Sequence, residues 1–521
     1  MKPSDKTRRQ GVFYTPQYWA EEAHKFLAGH LGPSWEEECL VWDPAAGSGN
    51  LTRGHTFSNL ILSTLEFEDI PLLGAQQGLS FQYDFLNPGE EDAFGLLEAP
   101  ENKLPEEVSI RLRQAAGQGK RLVFFMNPPY AAVGNARKEG DYKVGVSHTV
   151  VGSRMRELNF DAGTRQLYLQ FLFQCSQLAF EFGFKQHTIA CFSKHSFLCS
   201  SAYKPFRDWW YKRYKYQGGF LFPAEAFAEV SARWGVAFTV WDAPGRTSGD
   251  LEIQVLDGEK RHPKSIYNSD GREAAEWLRE PVRGLVGTDA PQLSSGLVVK
   301  HEGRGVTGSL GFMVNHTNNR ASSGDMVFLL SSAYVLGRRN GGGVLEPGNW
   351  ERAVALFAAR KLAGCSWETE KDEFLIPETK KQGYQQWVND CHVYALLNPA
   401  NNATALVGLL YQGKGWTVHN PWFWREPAYL GCLLQELSLS PDAQHVLDLL
   451  NALWEKSMPV REAYAAGKPE LHLLAWDAGV YQLKHLWRDL FPAEWVELKE
   501  AHRKLALRLA DGVYEYGFLK R

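Results

Sequence analysis

The chain is predicted to open with an α/β domain built on a mostly parallel sheet and to continue into a mixed α+β region. Three observations predict this. Short β-rich apolar runs alternate with helical patterns through the first half, which is the rhythm of βαβ units. A glycine-containing turn, DPAAGSGNL (43–51), follows the first of those runs and precedes a helical pattern. Beyond Trp241 the alternation stops, and turn-rich connections such as DAPGRTSGD (242–250) and GTDAPQLSSG (287–296) take over. The boundary is drawn at 250, giving domains 1–250 and 251–521 of the 521 residues.

Taken in order, the expected strands are CLVW (39–42), LILSTL (60–65), LSFQY (79–83), LVFFM (122–126), HTIACFS (187–193) and GVAFTVW (235–241). LYLQFLFQCSQLAFEF (167–182) has the apolar content of a buried helix. LEIQVLDGEKRHPKSIY (251–267) reads as two strands around an Asp-Gly turn and is assigned to the second domain. From about residue 297 onward the sequence reads as loop-rich. Two helices stand out near the C-terminus. SPDAQHVLDLLNALWEK (440–456) has Ser440 as N-cap and Pro441 at the first helical position. WVELKEAHRKLALRLADGV (495–513) is the second.

Composition removes several function classes. At 44% hydrophobic with 18 Trp, 20 Tyr and 29 Phe, the chain can bury large cores, so global disorder is excluded. A net charge of −4 leaves a polyanion partner open, because a local basic face is enough to steer one. The seven cysteines are odd in number and contain no CxxC pair. Neither a disulfide framework nor a zinc site is expected, and a reducing cytoplasm fits. No apolar run reaches the roughly 18 residues of a bilayer span, and MKPSDKTRRQ leads into no signal-length segment. A D-x7-E-x-K match at Asp489, Glu497 and Lys499 falls in a helical pattern, so no nuclease is assigned there.

Three strand ends carry the residues that a nucleotide-like cofactor needs. In DPAAGSGNL, Asp43 and Ala45 lead into Gly47 and Gly49, where the backbone can turn sharply and approach a ligand. Glu66 ends the second strand, about 20 residues on, the place where an acid receives ribose hydroxyls. Glu68 and Asp69 compete for that role. Asp84 ends the third strand in YDFL (83–86), where its carboxylate could accept from an adenine amino group while Phe85 packs on the ring. Each acid alone also fits an ordinary strand-end cap; together they favour a cofactor.

GVFYTP (11–16), DPAAGSGNL, Glu66, YDFL and NPPY (127–130) stand in the order and spacing of S-adenosylmethionine-dependent DNA adenine-N6 methyltransferases. With GVFYTP ahead of the glycine motif, the chain resembles the gamma class over roughly residues 8–242. The resemblance implies a Rossmann-like class I methyltransferase domain followed by a target-recognition domain with C-terminal helices. It implies S-adenosyl-L-methionine as cofactor, no metal and double-stranded DNA as partner. A modification enzyme serving a restriction or other defence system, or an orphan, would have this form. It further implies that Tyr14, Thr15 and Pro16 close over the methionine part of the cofactor. Ala46 stands where many relatives carry Cys, and both are small. NPPY by itself also occurs in methyltransferases of ribosomal RNA and of protein glutamine.

The exocyclic nitrogen of adenine is a poor nucleophile because its lone pair is delocalised into the ring. Acceptors on its N–H bonds, the Asn127 side chain and the Pro128 carbonyl, would localise that lone pair. Pro128 and Pro129 fix the backbone and remove N–H donors that a sheet ladder would use. Tyr130 offers a ring for an extruded base. The stretch 194–220 interleaves Lys194, Lys204, Arg207, Lys212, Arg213 and Lys215 with Trp209, Trp210, Tyr211, Tyr214 and Tyr216. The cations are expected on phosphates and the aromatics on bases, the alternative being an amphipathic helix with a buried aromatic face. The loop 131–145 is placed to touch or close over the target strand, and Trp234 could edge the flipped base, although a core position fits it better. WTVHNPWFWRE (416–426) and NHTNNRASSGD (315–325), in the second half, have residue types that contact base edges.

Overall fold

The computed structural model describes residues 15–74, 76–91, 97–98, 103–132, 149–227, 234–279, 311–315, 319–330, 343–345, 347–402, 405–411, 414–419, 436–467 and 480–521. The chain divides into two units, Met1–Asn268 with Ser366–Lys371, and Ser269–Cys365 with Asp372–Arg521.

The first unit is built on α1 (Gln17–Leu31), β1 (Leu40–Asp43), β2 (Leu60–Thr64), β3 (Leu79–Gln82), α2 (Glu106–Gly117) and β4 (Leu122–Met126). It continues through α3 (Val150–Glu157), α4 (Leu167–Glu181), β5 (His187–Lys194), α5 (Lys204–Tyr211), β6 (Lys215–Pro223) and β7 (Gly235–Ala243). The hairpin β8 (Leu251–Asp257) and β9 (Lys260–Ile266) follows. Together the strands form one nine-stranded sheet in the order β9-β8-β6-β7-β5-β4-β1-β2-β3. The run β3-β2-β1-β4-β5 is parallel throughout. β7 is antiparallel to both its neighbours, β5 and β6. A dinucleotide-binding sheet carries six parallel strands in the order 3-2-1-4-5-6. Here a seventh strand is inserted, reversed, between the fifth and sixth.

The hairpin β8–β9 corrects the boundary expected at 250. Gln254 and Val255 pair with Phe220 and Leu221 of β6, so the hairpin extends the first sheet and the chain leaves it only after Asn268. An Asp-Gly hairpin is recognisable locally, but which sheet it joins is decided by distant pairing.

Alternation along the central strands sorts their side chains onto two covered faces. Leu40, Trp42, Phe124 and Met126 pack with Val108 and Leu112 of α2 and with α4, while Val41, Val123 and Phe125 pack with Trp19, Ala20, Ala23 and Leu27 of α1. Strands buried on both faces read as continuous apolar runs, which is why LVFFM was legible. α1 starts directly after Pro16, whose carbonyl accepts from Trp19 N at 3.0 Å.

β6 was not anticipated. The strand accommodates glycines at 218 and 219 with a register shift between Tyr216 and Gly218.

The second unit holds a four-stranded sheet, β12-β10-β11-β13, made of β10 (Gly311–Asn315), β11 (Val327–Leu330), β12 (Gly343–Leu345) and β13 (Asn401–Asn402). A separate hairpin joins β14 (Ala405–Tyr411) to β15 (Lys414–His419). The unit's longer helices are α6 (Trp350–Leu362), α7 (Tyr384–Leu397), α8 (Pro441–Ser457), α9 (Val480–Leu490) and α10 (Pro492–Glu515). Ser440 caps α8, its hydroxyl accepting from Ala443 N at 3.3 Å. Glu497 and Lys499 lie within α10, and Asp489 in α9 accepts from the Tyr464 hydroxyl at 2.6 Å.

α6 and α7 correct the loop-rich reading of this region. α7 buries Asn389, Asp390 and His392 beside its apolar residues, so no apolar stripe of helical period shows in its sequence. Asp390 earns its burial by accepting from Ser440 N at 2.9 Å. Among the described residues no helix is long and apolar enough to cross a membrane.

Candidate active site

The carboxyl ends of β4, β1, β2 and β3 lie side by side in that order, and the chain reverses its direction of sheet growth between β1 and β4. Ligands of open α/β sheets bind at such a switch point. Asn127 follows β4, Asp43 ends β1, Glu66 lies just past β2, and Asp84 lies just past β3. Thr64 pairs with Gln82, so Glu66 and Asp84 leave the sheet at the same level. Adjacent strands are about 4.8 Å apart, so the row spans about 14 Å, the length of a nucleoside with a short side arm.

Asp43 is fully buried. Its Oδ1 accepts from Ala45 N at 3.0 Å, which folds the chain into the glycine turn. Its Oδ2 is buried without a hydrogen-bond partner. Burial pushes the carboxyl up to about 8. A buried carboxylate oxygen without a partner is costly, and a cationic donor would relieve it.

Gly47 and Gly49 adopt φ of +49° and +77°, the left-handed region where glycine is favoured. A Cβ on Gly49 would strike the Gln76 side chain. Gln76 Nε2 donates to the Gly49 carbonyl at 3.0 Å, and Thr52 Oγ1 donates to Gln76 Oε1. Gln76 thus clamps the turn from outside the motif, with no local signal to mark it.

Glu66 is exposed in extended backbone, and Phe67 beside it is 67% exposed. Asp69 is turned inward, its Oδ2 accepting from Thr64 Oγ1 at 3.3 Å. Asp84 closes a turn, accepting from Leu86 N at 3.1 Å and Asn87 Nδ2 at 2.8 Å. Asn87 in turn accepts from Val150 N at 3.0 Å, which anchors the start of α3.

Phe85 departs from the expected role. It is buried, stacked on Phe171 of α4 at 5.1 Å and edge-on to Trp42 at 5.7 Å. Its ring ties the sheet to α4 instead of standing free for an adenine. Among the described residues, Phe67 presents an exposed aromatic ring on this edge.

Tyr14 lies outside the described residues. Thr15 is buried, its carbonyl accepting from Asn50 Nδ2 at 3.1 Å. Its hydroxyl accepts from Asn127 Nδ2 at 2.9 Å. Asn127 Oδ1 accepts from the Tyr130 hydroxyl at 2.7 Å. Glycine turn, Thr15 and the NPPY turn are therefore joined by side-chain hydrogen bonds.

Tyr130 also differs from expectation. Its ring is buried, edge-on to Trp234 at 5.7 Å and 89°, and its hydroxyl is spent on Asn127. It holds the amide instead of presenting a ring to a base. Pro128 is buried, while Asn127, Pro129 and Trp234 are half-buried.

The basic stretch is divided by the sheet. Lys194 ends β5 beside NPPY, its ammonium donating to the Tyr130 carbonyl at 2.9 Å and lying 5.3 Å from the Trp234 ring. Burial pulls its pKa below the usual lysine range, with Lys371 adding to the effect. Lys215 pairs with Asp242, near the far end of β7 from Val236, the partner of Lys194. Six residues of strand place Lys215 about 20 Å from Lys194, at the opposite edge from NPPY. Lys212 and Arg213 precede it there, both exposed, with Arg213 over Trp209 at 4.6 Å.

Arg207 is buried and donates to the Phe197 and Ser200 carbonyls, both at 2.8 Å, so it braces a turn and does not face phosphate. Lys204 is paired with Asp208 at 2.7 Å. Trp210 and Tyr214 are buried and stacked at 4.0 Å, so the aromatic half of the stretch is core. Residues 133–148 and 420–426, expected near DNA, lie outside the described residues.

No protein-family model and no curated protein matches the chain. Among solved structures it is similar to a DrdV–DNA complex, at 15% identity and a TM-score of 0.32, covering 61% of this chain and 36% of that one. A nuclease-deletion mutant of the Type ISP restriction-modification enzyme LlaGI with a DNA substrate mimic is 14% identical at TM-score 0.33, covering 50% and 28%. A modification subunit of a putative type I restriction enzyme from Vibrio vulnificus YJ016 is 14% identical at TM-score 0.29, covering 50% of each chain. This chain spans 36% and 28% of the length of the first two. Likenesses at this level carry neither family nor activity over to it.

Proposed function

We propose that the chain is a DNA methyltransferase that uses S-adenosyl-L-methionine to modify the exocyclic N6 of a flipped-out adenine in double-stranded DNA. Its setting would be a restriction-modification or related defence system, or an orphan role. The observation that carries the reading is the placement of the Asn127 amide, at the switch point of a mostly parallel sheet, one strand from the partnerless Oδ2 of Asp43. The cofactor, when bound, supplies an activated methyl group.

The residues present fit that cofactor. Asp43 offers a buried, unsatisfied acceptor to a cationic group, and the turn at Gly47 and Gly49 supplies a close backbone approach. Exposed Glu66 offers two acceptor oxygens to ribose hydroxyls. Asp84, set in its turn by Leu86 N and Asn87 Nδ2, lies at the far end of the row, where its carboxylate would accept from an amino group. The exposed ring of Phe67 is available to stack on a base.

At the target, Asn127 Oδ1, held in place by the Tyr130 hydroxyl, is the proposed acceptor. With the Pro128 carbonyl it would accept the N–H bonds of an adenine amino group and localise the nitrogen lone pair. Preorganised acceptors that strengthen as positive charge develops on nitrogen lower the barrier without a strong base. Trp234, half-buried and braced by Lys194 and Tyr130, stands nearest to hand for a base that has left its stack.

The test is transfer of labelled methyl to duplex DNA, RNA and protein offered separately. Label in duplex DNA, recovered as N6-methyladenine and lost by at least about a hundredfold in Asn127→Ala, is the expected result. Label confined to RNA or protein, or an Asn127→Ala protein of parental activity, overturns the reading.

A further inference from the structure

A group of ionisable side chains lies behind the glycine turn, outside the row of acceptors described above. His24, on α1, is buried. Its Nδ1 is 2.8 Å from Glu36 Oε1 and its Nε2 is 2.7 Å from the Leu51 carbonyl oxygen. His55 stacks on it, ring centroids 3.4 Å apart and planes 9° from parallel. His55 Nδ1 is 2.9 Å from the same Glu36 oxygen, and its Nε2 is 3.5 Å from Glu21 Oε1. Trp35, Phe57 and Phe125 supply the apolar walls. Among the described residues, Glu36, His55 and Glu21 are the ionisable groups that face His24.

Proton counting constrains this arrangement. A neutral imidazole has one donor and one acceptor nitrogen. Both His24 nitrogens face oxygens, and neither an ionised carboxylate nor a carbonyl can donate. A neutral ring beside ionised Glu36 would leave two acceptors facing each other at hydrogen-bond distance. One extra proton is therefore required on the line from Nδ1 to Oε1, and it is assigned to Nδ1, imidazole being the stronger base of the two.

A metal ion would also satisfy three such ligands, but the rings argue against it. A zinc ion lies about 2.0–2.1 Å from each histidine nitrogen, in the plane of each ring. Rings stacked nearly parallel aim their in-plane lone pairs side by side, and they do not converge on one point.

The position of the group gives it a consequence. Leu51 closes the DPAAGSGNL turn, and His24 sits two helical turns into the helix that follows Thr15 and Pro16. Asn50 makes the reciprocal tie, donating to the Thr15 carbonyl. We infer that His24 is a positioning residue, a proton-dependent latch that holds the glycine turn in register with the Thr15 segment for cofactor binding. The latch rests on the proposed cofactor site. Burial pulls the imidazole below the usual histidine value and the stacked His55 adds to that pull, while the Leu51 and Glu36 contacts work against it. Losing the extra proton as pH rises opens one of the two contacts, so cofactor affinity falls toward alkaline pH.

Two measurements test it together: calorimetric affinity for S-adenosylmethionine from about pH 5 to about pH 8, and nitrogen NMR of the His24 ring over the same range. In the parent, affinity should weaken about tenfold toward the alkaline end as the ring loses its second proton. His24→Gln can still donate to Leu51 and should bind with a flat pH profile. His24→Phe should bind about tenfold more weakly than the parent at acid pH while unfolding as cooperatively. A pH slope unchanged in His24→Gln, a ring singly protonated at the acid end, or stoichiometric zinc in the purified protein overturns the latch. A parent that binds no cofactor at any pH overturns the proposed site as well, while the ring spectrum still decides the proton.

Discussion

Asn127 Nδ2 donates to Thr15 Oγ1 across 2.9 Å, joining the turn proposed to grip the target to the segment ahead of α1. The Tyr130 hydroxyl holds the other end of the same amide at 2.7 Å. An amide held at both ends cannot rotate freely, and a preorganised acceptor costs no reorganisation during reaction. Thr15→Val and Tyr130→Phe each remove one tether and leave the amide in place. Each is expected to lower methyl transfer about tenfold. Single-turnover rates at saturating cofactor check this, and parental rates in both variants would show that the tethers do not matter.

Asp43 makes the protein's own stability depend on pH. Its folded-state value of about 8 lies well above the ordinary 3.8, because burial disfavours the charged form. The folded protein therefore holds a proton that the unfolded chain has already released. Stability from this group is full below about 3.8 and is lost as pH rises toward about 8. Asp43→Asn should flatten that slope and melt higher than the ligand-free parent near pH 8, while losing cofactor binding. Thermal melts against pH, with and without cofactor, read both effects.

Lys194 and the Lys212–Lys215 cluster should separate cleanly. Lys194→Met removes a donor from the Tyr130 carbonyl, so transfer should fall about tenfold with cofactor affinity retained. Alanine at Lys212, Arg213 and Lys215 together, at the opposite sheet edge, should leave the transfer rate constant unchanged. Rates at saturating DNA and cofactor for the two proteins make the comparison.

Arg207 should behave as a structural residue. Arg207→Met leaves the Phe197 and Ser200 carbonyls without their buried donor, a cost of about 3 kcal/mol. Urea denaturation should show the loss. The salt dependence of DNA binding should not change, because no phosphate contact is removed.

Local signals carried much of this protein. Strands such as LVFFM declare themselves because burial on both faces demands continuous apolar residues. Ser440 and Pro441 mark the start of α8 because helix ends have their own chemistry. The acids at three strand ends and NPPY after β4 were legible because strand order and spacing survive in the sequence as intervals. By contrast, Phe85, Tyr130 and Arg207 look in sequence like residues that could meet a ligand, and the fold encloses all three. Only pairing register decided that β7 runs backward, which sends Lys215 to the far edge, and that β8 joins β6. Such outcomes depend on contacts between residues distant in the chain, which no local period records. The proton between His24 and Glu36 belongs to the same class, because it exists only where folding brings a helix, a short acidic turn and Leu51 to one point.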